Sequence, residues 1–252
     1  MVPFIHSTTY AIFGLHLQTW GTLVAIGYAV GTWIAYDRAK RRGLDPERVL
    51  HFSFWIFLWA FLGARLVHVF LYEPGYFLQH PWEALDPRQP GWSMFGGLIG
   101  AAVAFFWSMR HQAWLETLTY ADTLVWGLPW GCGIGRIGCF LIHDHPGTLT
   151  HGILGVRYPD GLVRHDLGLY LSLVGFATGL LFLFFNRHCR APGWYFGCYL
   201  VIEGFMRFYL DFLRIADTRY AGLTPTQYLS VPLIVAGAWI LHRGRRMVSS
   251  SR

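Results

Sequence analysis

Three arginines lie inside long apolar stretches of this sequence, where a charged side chain is costly. They are Arg65, Arg136 and Arg207. A charge near the centre of a membrane-spanning helix costs about 2.5–3.5 kcal/mol on insertion scales, and such a residue usually faces the interior of the helix bundle. An internal ion pair would account for any one of them. Three together indicate an anionic ligand, and the planar guanidinium group suits a phosphate.

The apolar stretch around Arg207 carries charges at helical spacing. Glu203, Arg207 and Asp211 recur every four residues, and Arg214 follows three residues later. All four therefore share one face of a helix, and each neighbouring pair has opposite charges. This face is too polar for lipid tails, so it either pairs internally or lines a polar cavity. Arg207, placed between two carboxylates, is a candidate phosphate ligand with a fixed orientation.

A second polar cluster begins at Arg136. Glycines at 135 and 138 flank this arginine, and we expect them to let a lipid head group approach the backbone. The apolar segment then ends in His143, Asp144 and His145, followed by Pro146 and Gly147. The two histidines could be metal ligands, proton-transfer groups or interface residues. Alternate residues of a helix do not share a face, so we expect no metal site, and one of the three polar residues is a candidate general base or acid.

Two further patterns do not predict a function. The four cysteines include no CxxC pair, so the sequence predicts no disulfide framework, and Cys139 is expected to be a packing residue. Gly133, Gly135 and Gly138 match the dinucleotide pattern GxGxxG. They lie inside an apolar segment with no preceding strand, so we expect no nucleotide site there.

The composition indicates the kind of scaffold that positions these residues. Of the 252 residues, 54% are hydrophobic and only 13% are charged, which is too little charge for the surface of a soluble domain. The sequence therefore predicts an all-α, polytopic integral membrane protein with a single domain over residues 1–252. The predicted transmembrane helices number seven and cover residues 17–36, 51–72, 93–109, 119–142, 167–186, 194–213 and 225–242.

The charges of the connections predict an orientation. Most basic residues fall in 37–50, 110–118, 187–193 and the tail after 242, whereas the alternate connections hold Arg88, Arg157, Arg164, Arg214 and Arg219. The positive-inside rule then places the N-terminus outside, the C-terminus in the cytoplasm and a small head on the periplasmic side. The net charge of +6 therefore indicates topology and anionic lipid rather than nucleic acid.

Small residues at four-residue spacing predict close helix contacts in lipid. The pairs are Gly27/Gly31, Gly96/Gly100, Gly131/Gly135, Gly175/Gly179 and Gly193/Gly197.

From about residue 14 to residue 242, an ordered set of segments resembles the prolipoprotein diacylglyceryl transferases. The segments are 63–66, 96–100, 135–138, 164–165 with Tyr170, 204–214 and 223–237. The resemblance implies a seven-helix enzyme of the bacterial inner membrane. Such an enzyme transfers the diacylglyceryl group of phosphatidylglycerol to the cysteine thiol of a prolipoprotein lipobox and releases glycerol phosphate. It implies phosphatidylglycerol and prolipoprotein signal peptides as partners, and we expect no cofactor; the oligomeric state is left open.

The resemblance also implies roles for individual residues. Arg136 matches the family's essential arginine and Arg207 its second phosphate-side arginine, while Asp122 matches an acid of the fourth span. Two arginines would spread the charge that develops on a phosphate leaving group. The predicted catalytic residues are Arg136, Arg207, Asp144, His143, His145 and Glu203. The predicted lipid-binding residues are Arg136, Arg207, Arg65, Gly97, Gly138, Cys139, Gly147 and Asp211.

Three positions depart from the family pattern. Phe95 stands where the family has a histidine often assigned as the base, Cys139 where it has asparagine, and Glu203 where it usually has tyrosine. A thiol in a low-dielectric site needs a base or a nearby cation to lose its proton. Our hypothesis is that His143, His145 or Glu203 replaces the missing base.

Three functions remain open on the sequence. The first is a prolipoprotein diacylglyceryl transferase with a rearranged base. The second is a related lipid-dependent transferase with another acceptor, which the changes at Phe95 and Cys139 favour. The third is a non-catalytic lipid-binding or transport protein, which the retained arginines disfavour. A channel is disfavoured because no filter-like segment is present.

Overall fold

Each of the seven apolar segments predicted from the sequence forms a helix in the computed structural model, which describes residues 1–12, 15–86, 91–186, 190–215 and 219–249. The helices are α1 (Thr19–Arg41), α2 (Pro46–Val67), α3 (Pro74–Gln79), α4 (Met94–Ser108), α5 (Trp114–Ile142), α6 (Leu167–Phe185), α7 (Trp194–Leu210) and α8 (Pro225–Ser249). The short helix α3 is additional to the prediction and lies in the connection after α2. Three predicted connections lie partly outside the described residues: the one that contains Arg88, segment 187–193, and the connection between α7 and α8.

The chain divides into two compact units. The first comprises Met1–Gly43 and Leu118–Arg252, and the second comprises Leu44–Thr117. The prediction of a single domain over residues 1–252 stays a prediction.

Several helices are suited to a lipid environment. The stretches Pro46–Phe70, Trp114–Ile142 and Leu167–Phe185 are long and apolar enough to cross a membrane, and Phe95–Ser108 is a shorter apolar helix. On α6, Leu180 and Phe184 are 59% and 68% exposed. Large apolar side chains cover the outside of these helices as expected for contact with lipid tails. The chain is a multi-pass membrane protein.

In the first unit, glycines bring the helices into backbone contact. A Cβ atom added at Gly31 on α1 would lie 3.1 Å from the carbonyl oxygen of Gly127 on α5. One added at Gly175 on α6 would lie 2.8 Å from the oxygen of Pro129, and one at Gly197 on α7 would lie 3.0 Å from that of Gly237 on α8. The glycine spacing therefore predicted real helix contacts, which any larger residue would push apart.

Two aspartates determine where helices begin. Asp166 precedes α6, and its carboxylate accepts a hydrogen bond from the backbone N–H of Leu169 at 3.1 Å. Asp122 on α5 accepts from the N–H groups of Gly193 and Phe196, at 2.9 and 2.8 Å, at the start of α7. Both satisfy N–H groups that a helix leaves without partners in its first turn.

The prediction of an all-α fold is wrong in detail, because the structure contains two small β-sheets in addition to its helices. Strands β1 (Thr9–Ile12) and β2 (Leu15–Gln18) form an antiparallel pair. Strands β3 (Pro146–Leu149), β4 (Val156–Arg157) and β5 (Val163–Asp166) form an antiparallel sheet with β5 in the centre. None exceeds four residues, too short for alternation to be recognised in the sequence.

Candidate active site

Arg136 lies in the second half of α5 with few partners of its own. Its Nη1 points toward the Cys139 sulfur, 3.8 Å away, one turn further along the helix. Among the described residues, no carboxylate lies within ion-pair distance of this guanidinium group. A half-buried arginine without a carboxylate keeps its N–H donors for an anionic ligand.

Arg136 and Arg207 lie around the same cleft between α5 and α7. The Cys132 sulfur of α5 is 3.7 Å from the hydroxyl oxygen of Tyr199 on α7. The charges of Arg136, Arg207 and Glu203 all act on this thiol, and Cys132 is nevertheless exposed. The exposed thiol and the three charges around it indicate an open, polar space inside the first unit. The two arginines predicted to hold one phosphate are thus brought together.

The four charged residues predicted to share one helical face form two ion pairs. Because α7 ends at Leu210, only Glu203 and Arg207 lie on this helix, and Asp211 and Arg214 lie in the turn that follows it. Arg207 Nε donates to Glu203 Oε1 at 2.5 Å, with about one fifth of each side chain exposed. Arg214 Nη1 lies 3.5 Å from Asp211 Oδ1, and Asp211 also accepts a hydrogen bond from the hydroxyl of Thr224, just before α8. Glu203 therefore orients Arg207, whereas Asp211 joins the end of α7 to the start of α8.

A carboxylate–imidazole pair lies beside Cys139. A carboxylate oxygen of Asp144 is in direct contact with His145 Nδ1 just after α5 ends. The Cys139 sulfur, a carboxylate oxygen of Asp144 and a ring nitrogen of His145 all lie within 4.8 Å of one another. Because Arg136 Nη1 contacts the same sulfur, this pair lies next to the arginine. All three are also residue types that bind metal ions, so the predicted lack of a metal site stays a prediction.

His143 is tied into a buried network instead. Its backbone has a positive φ of 51°, which ends α5 and turns the ring away from the helix. Nδ1 lies 2.7 Å from Asp166 Oδ2, and Nε2 lies 3.1 Å from the carbonyl oxygen of Ile5. Tyr158 and the α6 backbone also donate to Asp166. Both ring nitrogens of His143 thus lie within hydrogen-bond distance of oxygen atoms from distant parts of the chain, and the ring is held inside this network.

The surroundings of Tyr158 keep its hydroxyl protonated. Burial and the negative charge of Asp166 raise the pKa of this phenol well above its usual range. Tyr158 donates to Asp166 Oδ2 at 3.0 Å, while the ring of Phe4 stacks on His143 with centroids 4.0 Å apart. The N-terminal segment is thereby held against the end of α5.

Strand β5 brings together part of the set suggested by the family resemblance. The Nδ1 atom of His165 lies 2.6 Å from the hydroxyl oxygen of Tyr170, and burial lowers the pKa of this histidine. Arg164 instead donates to Asp160 at 2.5 Å, and this hydrogen bond lowers the pKa of the Asp160 carboxyl. His165 and Tyr170 thus form one pair and Arg164 belongs to another.

In the second unit, Arg65 is bound to loop carbonyl groups. It is 7% exposed. Its Nε donates to the oxygen of Ala84 at 2.9 Å, Nη2 to that of Glu83 at 2.7 Å, and Nη1 to that of Gly91 at 3.1 Å. These bonds hold the loop that follows α2. The lipid contact predicted for Arg65 stays a prediction.

The three glycines predicted to bind lipid lie in packing contacts. A Cβ atom at Gly97 would be 3.4 Å from the oxygen of Ala60, and one at Gly138 would be 3.1 Å from Cα of Trp20 on α1. One at Gly147 on β3 would be 2.9 Å from Cβ of His165 on β5. Packing accounts for Gly138 and Gly147, whereas Gly97 has room for a Cβ atom. The lipid contacts of all three stay predictions.

Sequence reasoning missed three residues of the site. Asp166 had a detectable signal, because an aspartate directly before an apolar run is typical of a helix N-cap. Tyr199 precedes Glu203 by four residues, so it extends the charged face of α7 by one turn. Cys132 had no signal, because its place in the cleft depends on a contact with another helix.

Comparison with known proteins agrees with this geometry. The family model for prolipoprotein diacylglyceryl transferase matches residues 8–243. Three curated relatives are named phosphatidylglycerol–prolipoprotein diacylglyceryl transferase. That of Roseobacter denitrificans is 30% identical, with 97% of this chain and 96% of the relative covered. That of Pseudoalteromonas atlantica is 30% identical, with 96% and 92% covered, and that of Nitrosomonas europaea is 32% identical, with 90% and 86% covered. This chain, with its arginine-lined cleft, belongs to the prolipoprotein diacylglyceryl transferase family.

Proposed function

We propose that this protein transfers the diacylglyceryl group of phosphatidylglycerol to the lipobox cysteine of prolipoproteins and releases glycerol phosphate. The observation that carries the proposal is the cleft around Cys132, which Arg136 and Arg207 share. A cleft inside a membrane bundle with an arginine that lacks a carboxylate partner suits the phosphate of a lipid. The names of the relatives support the same substrates.

The two arginines have complementary roles in this proposal. Arg136 offers N–H donors that no carboxylate of the described residues occupies, so it binds the phosphate directly. Arg207 is held in one orientation by Glu203, so it adds a fixed positive charge on the other side of the cleft. Positive charge that is in place before reaction stabilises the negative charge that builds on the departing phosphate.

The reaction forms one bond and breaks one bond at the same carbon. The sulfur of the lipobox cysteine attacks the diacylglycerol carbon that bears the phosphate ester, and a C–S bond forms. The C–O bond to phosphate breaks, and its electron pair leaves with glycerol phosphate. The thiol proton must pass to a base before or during the attack, because the thiolate is the nucleophile.

Of the three candidate bases, the geometry favours His145. Both nitrogens of His143 are held by oxygens of Asp166 and Ile5, and Glu203 is bound to Arg207. His145 is about one quarter exposed, is paired with Asp144, and lies beside Cys139 next to Arg136. In this role Asp144 orients the imidazole and stabilises its protonated form.

This assignment of the base has its own test. His145→Gln should lower the maximal transfer rate and remove the acidic limb of its pH profile. Asp144→Asn should lower the rate less and move that limb to lower pH. His143→Gln should lower thermal stability more than it lowers the rate of the folded protein. An unchanged pH profile in His145→Gln would exclude His145 as the base.

We further propose seven transmembrane helices in the bacterial inner membrane, with the N-terminus outside and the C-terminus in the cytoplasm. Contacts within the first unit support this arrangement. Val2 bridges to Val156, and Gly147 bridges to Arg214, so three connections predicted to be periplasmic lie together. A reporter that fluoresces only in the cytoplasm should be active when fused to the C-terminus and inactive at the N-terminus.

The central experiment incubates purified protein with phosphatidylglycerol and a lipobox peptide. Mass spectrometry should detect a diacylglyceryl thioether on the cysteine and an equal amount of glycerol phosphate. A peptide with serine in place of that cysteine is the control. Glycerol phosphate release only with another acceptor would identify the related lipid-dependent transferase, to which the changes at Phe95 and Cys139 point. No lipid turnover with any acceptor would leave a lipid-binding or transport protein.

A further inference from the structure

We propose that the first unit holds a second site for the phosphate of an anionic glycerophospholipid, at the C-terminal end of α1. A cavity of about 550 Å³ opens there between α1, α5 and the end of α6. Its walls include Arg38, Arg41 and Arg42 of α1, Trp126 of α5, and Asn186 just after α6. Neither the family resemblance nor the proposed reaction gives this cavity a role.

Arg38 is a buried cation whose hydrogen bonds are incomplete. It is 6% exposed, and its guanidinium carbon lies 3.3 Å from the centre of the Trp126 ring. Nη1 donates to Asn186 Oδ1 at 3.1 Å. Nε and Nη2 have no hydrogen-bond partner in the described part of the chain. Because a buried donor without a partner is unfavourable, a ligand that supplies acceptor oxygens next to Arg38 would be bound with a gain in free energy.

The cavity has an excess of positive charge. Asp37 is the one acidic residue among its described lining residues, and it is paired with Arg41 at 2.7 Å on the exposed rim. Asp122 also acts on Arg38 and Arg42, and its oxygens accept backbone N–H groups at the start of α7. Among the described residues, three arginines thus face two carboxylates, so one positive charge remains to attract a further negative group.

This cavity is separate from the cleft around Arg136. On α5, Trp126 lies about 15 Å before Arg136 at the rise of 1.5 Å per residue. On α1, Arg38 lies about 27 Å beyond Trp20, which packs against Gly138 near Arg136. The two sites are thus at opposite ends of α1, and a lipid bound at one does not occupy the other.

The lining identifies the ligand as a phosphodiester lipid. One arginine can donate two parallel hydrogen bonds to two oxygens of a phosphate. The side-chain amide of Asn186 adds a further donor in the same cavity. Ile34, Trp130 and Leu183 give the same cavity an apolar wall. This wall suits the glycerol and first acyl carbons of a lipid better than it suits a hydrated phosphate ion. Basic pockets between membrane helices are known sites for anionic head groups.

The test counts bound lipids. Full-length protein in phosphatidylcholine nanodiscs that contain some phosphatidylglycerol is analysed by native mass spectrometry. The wild type should retain two phosphatidylglycerol molecules. Arg42 is exposed, so Arg42→Gln should leave the fold intact. It should lower the affinity for one of the two phosphatidylglycerol molecules about tenfold, and Arg38→Gln should lower that affinity more. Lys40→Gln, which removes the same charge outside the cavity, is the matched control and should retain both.

Two further measurements distinguish the two lipid sites from each other and a bound lipid from bound inorganic phosphate. Arg136→Gln should lose the other lipid and keep the one that depends on Arg42, whether or not transfer activity is found. Inorganic phosphate should not displace the Arg42-dependent lipid; if it binds there and no lipid does, the site belongs to free phosphate and the lipid assignment is overturned. Equal lipid retention by wild type, Arg42→Gln and Arg38→Gln would overturn the site itself.

Discussion

Arg136 in the first unit and Arg65 in the second have similar sequence surroundings and opposite bonding. Arg65 is buried and donates from all three nitrogens to carbonyl oxygens of one loop. Arg136 is half-buried. Its Nη1 lies 3.8 Å from the Cys139 sulfur, and no carboxylate of the described part of the chain pairs with it. An arginine whose donors are bound by the protein stabilises a loop. An arginine whose donors lack such partners remains able to bind a ligand.

Arg207 lies between these two cases. Its Nε is bound to Glu203, which fixes the orientation of the guanidinium plane, yet the side chain is about one fifth exposed. The cleft therefore combines one arginine available to a ligand and one pre-oriented arginine. Such preorganisation avoids the cost of ordering both side chains when a substrate binds.

The largest effect is expected at Arg136. Arg136→Gln should lower the transfer rate by about 10²–10³-fold, because it removes a positive group that stabilises the leaving phosphate. Thermal unfolding should change little, since Arg136 has no carboxylate partner among the described residues to leave unpaired. Lys40→Gln serves as the charge-matched control. A large loss of stability with little loss of rate would reverse the comparison with Arg65.

The opposite pattern is expected at Arg65. Arg65→Met should lower the free energy of unfolding by about 3 kcal/mol, because three half-buried carbonyl groups lose charge-assisted hydrogen bonds. The remaining folded protein should transfer lipid at close to the normal rate. A thermal unfolding curve gives the loss of stability, and a transfer assay corrected for the fraction of folded protein gives the rate. If the rate falls as far as in Arg136→Gln, Arg65 also contacts the substrate.

A smaller effect is expected when Arg207 loses its orienting partner. Glu203→Gln should lower the transfer rate by about tenfold, with an unchanged pH profile, since the guanidinium group keeps its charge and loses its fixed orientation. Rates measured across pH distinguish this role from catalysis. Loss of the acidic limb in Glu203→Gln would make Glu203 the base and exclude our assignment of His145.

The smallest effect is expected at His165, outside the membrane helices. Burial lowers the pKa of this histidine, so the unfolded chain binds a proton at a higher pH than the folded protein does. Its contribution to stability is therefore present above the normal histidine pKa and is lost as the pH falls through that range. The melting temperature of the wild type minus that of His165→Gln should decrease from about pH 7.5 to about pH 5.5, which is about one unit either side of the normal histidine pKa. A constant difference would contradict this.

Much of the helical scaffold was predictable because its signals are long and local. Apolar runs of roughly 20 residues are recognised without tertiary information, and the boundaries at Leu167 and Ile142 agree with the prediction. The glycine spacings likewise predicted close helix contacts. The strands were missed because Val156–Arg157 and its partner Val163–Asp166 are too short to show alternation.

The candidate site was predicted as a set of residues but not as an arrangement. Glu203 and Arg207 are four residues apart on one helix, so their pairing follows from helical spacing. His143, His145 and Glu203 could not be ranked as bases from the sequence. The difference arises from Ile5 and Asp166, which are far from His143 along the chain and occupy both of its nitrogens.

The amino-acid order alone accounts for the membrane helices, the charged face of α7 and the presence of arginines where lipid would otherwise be. These features depend on composition and on the period of the helix, which are properties of neighbouring residues. The hydrogen-bond partners of each arginine, in contrast, depend on residues that are far apart in the chain. Carbonyl groups of Glu83, Ala84 and Gly91 bind Arg65. Packing of α5 against α7 brings Arg136 to the same cleft as Arg207. Hydrogen-bond partners that are remote in the chain exist only after the helices have packed.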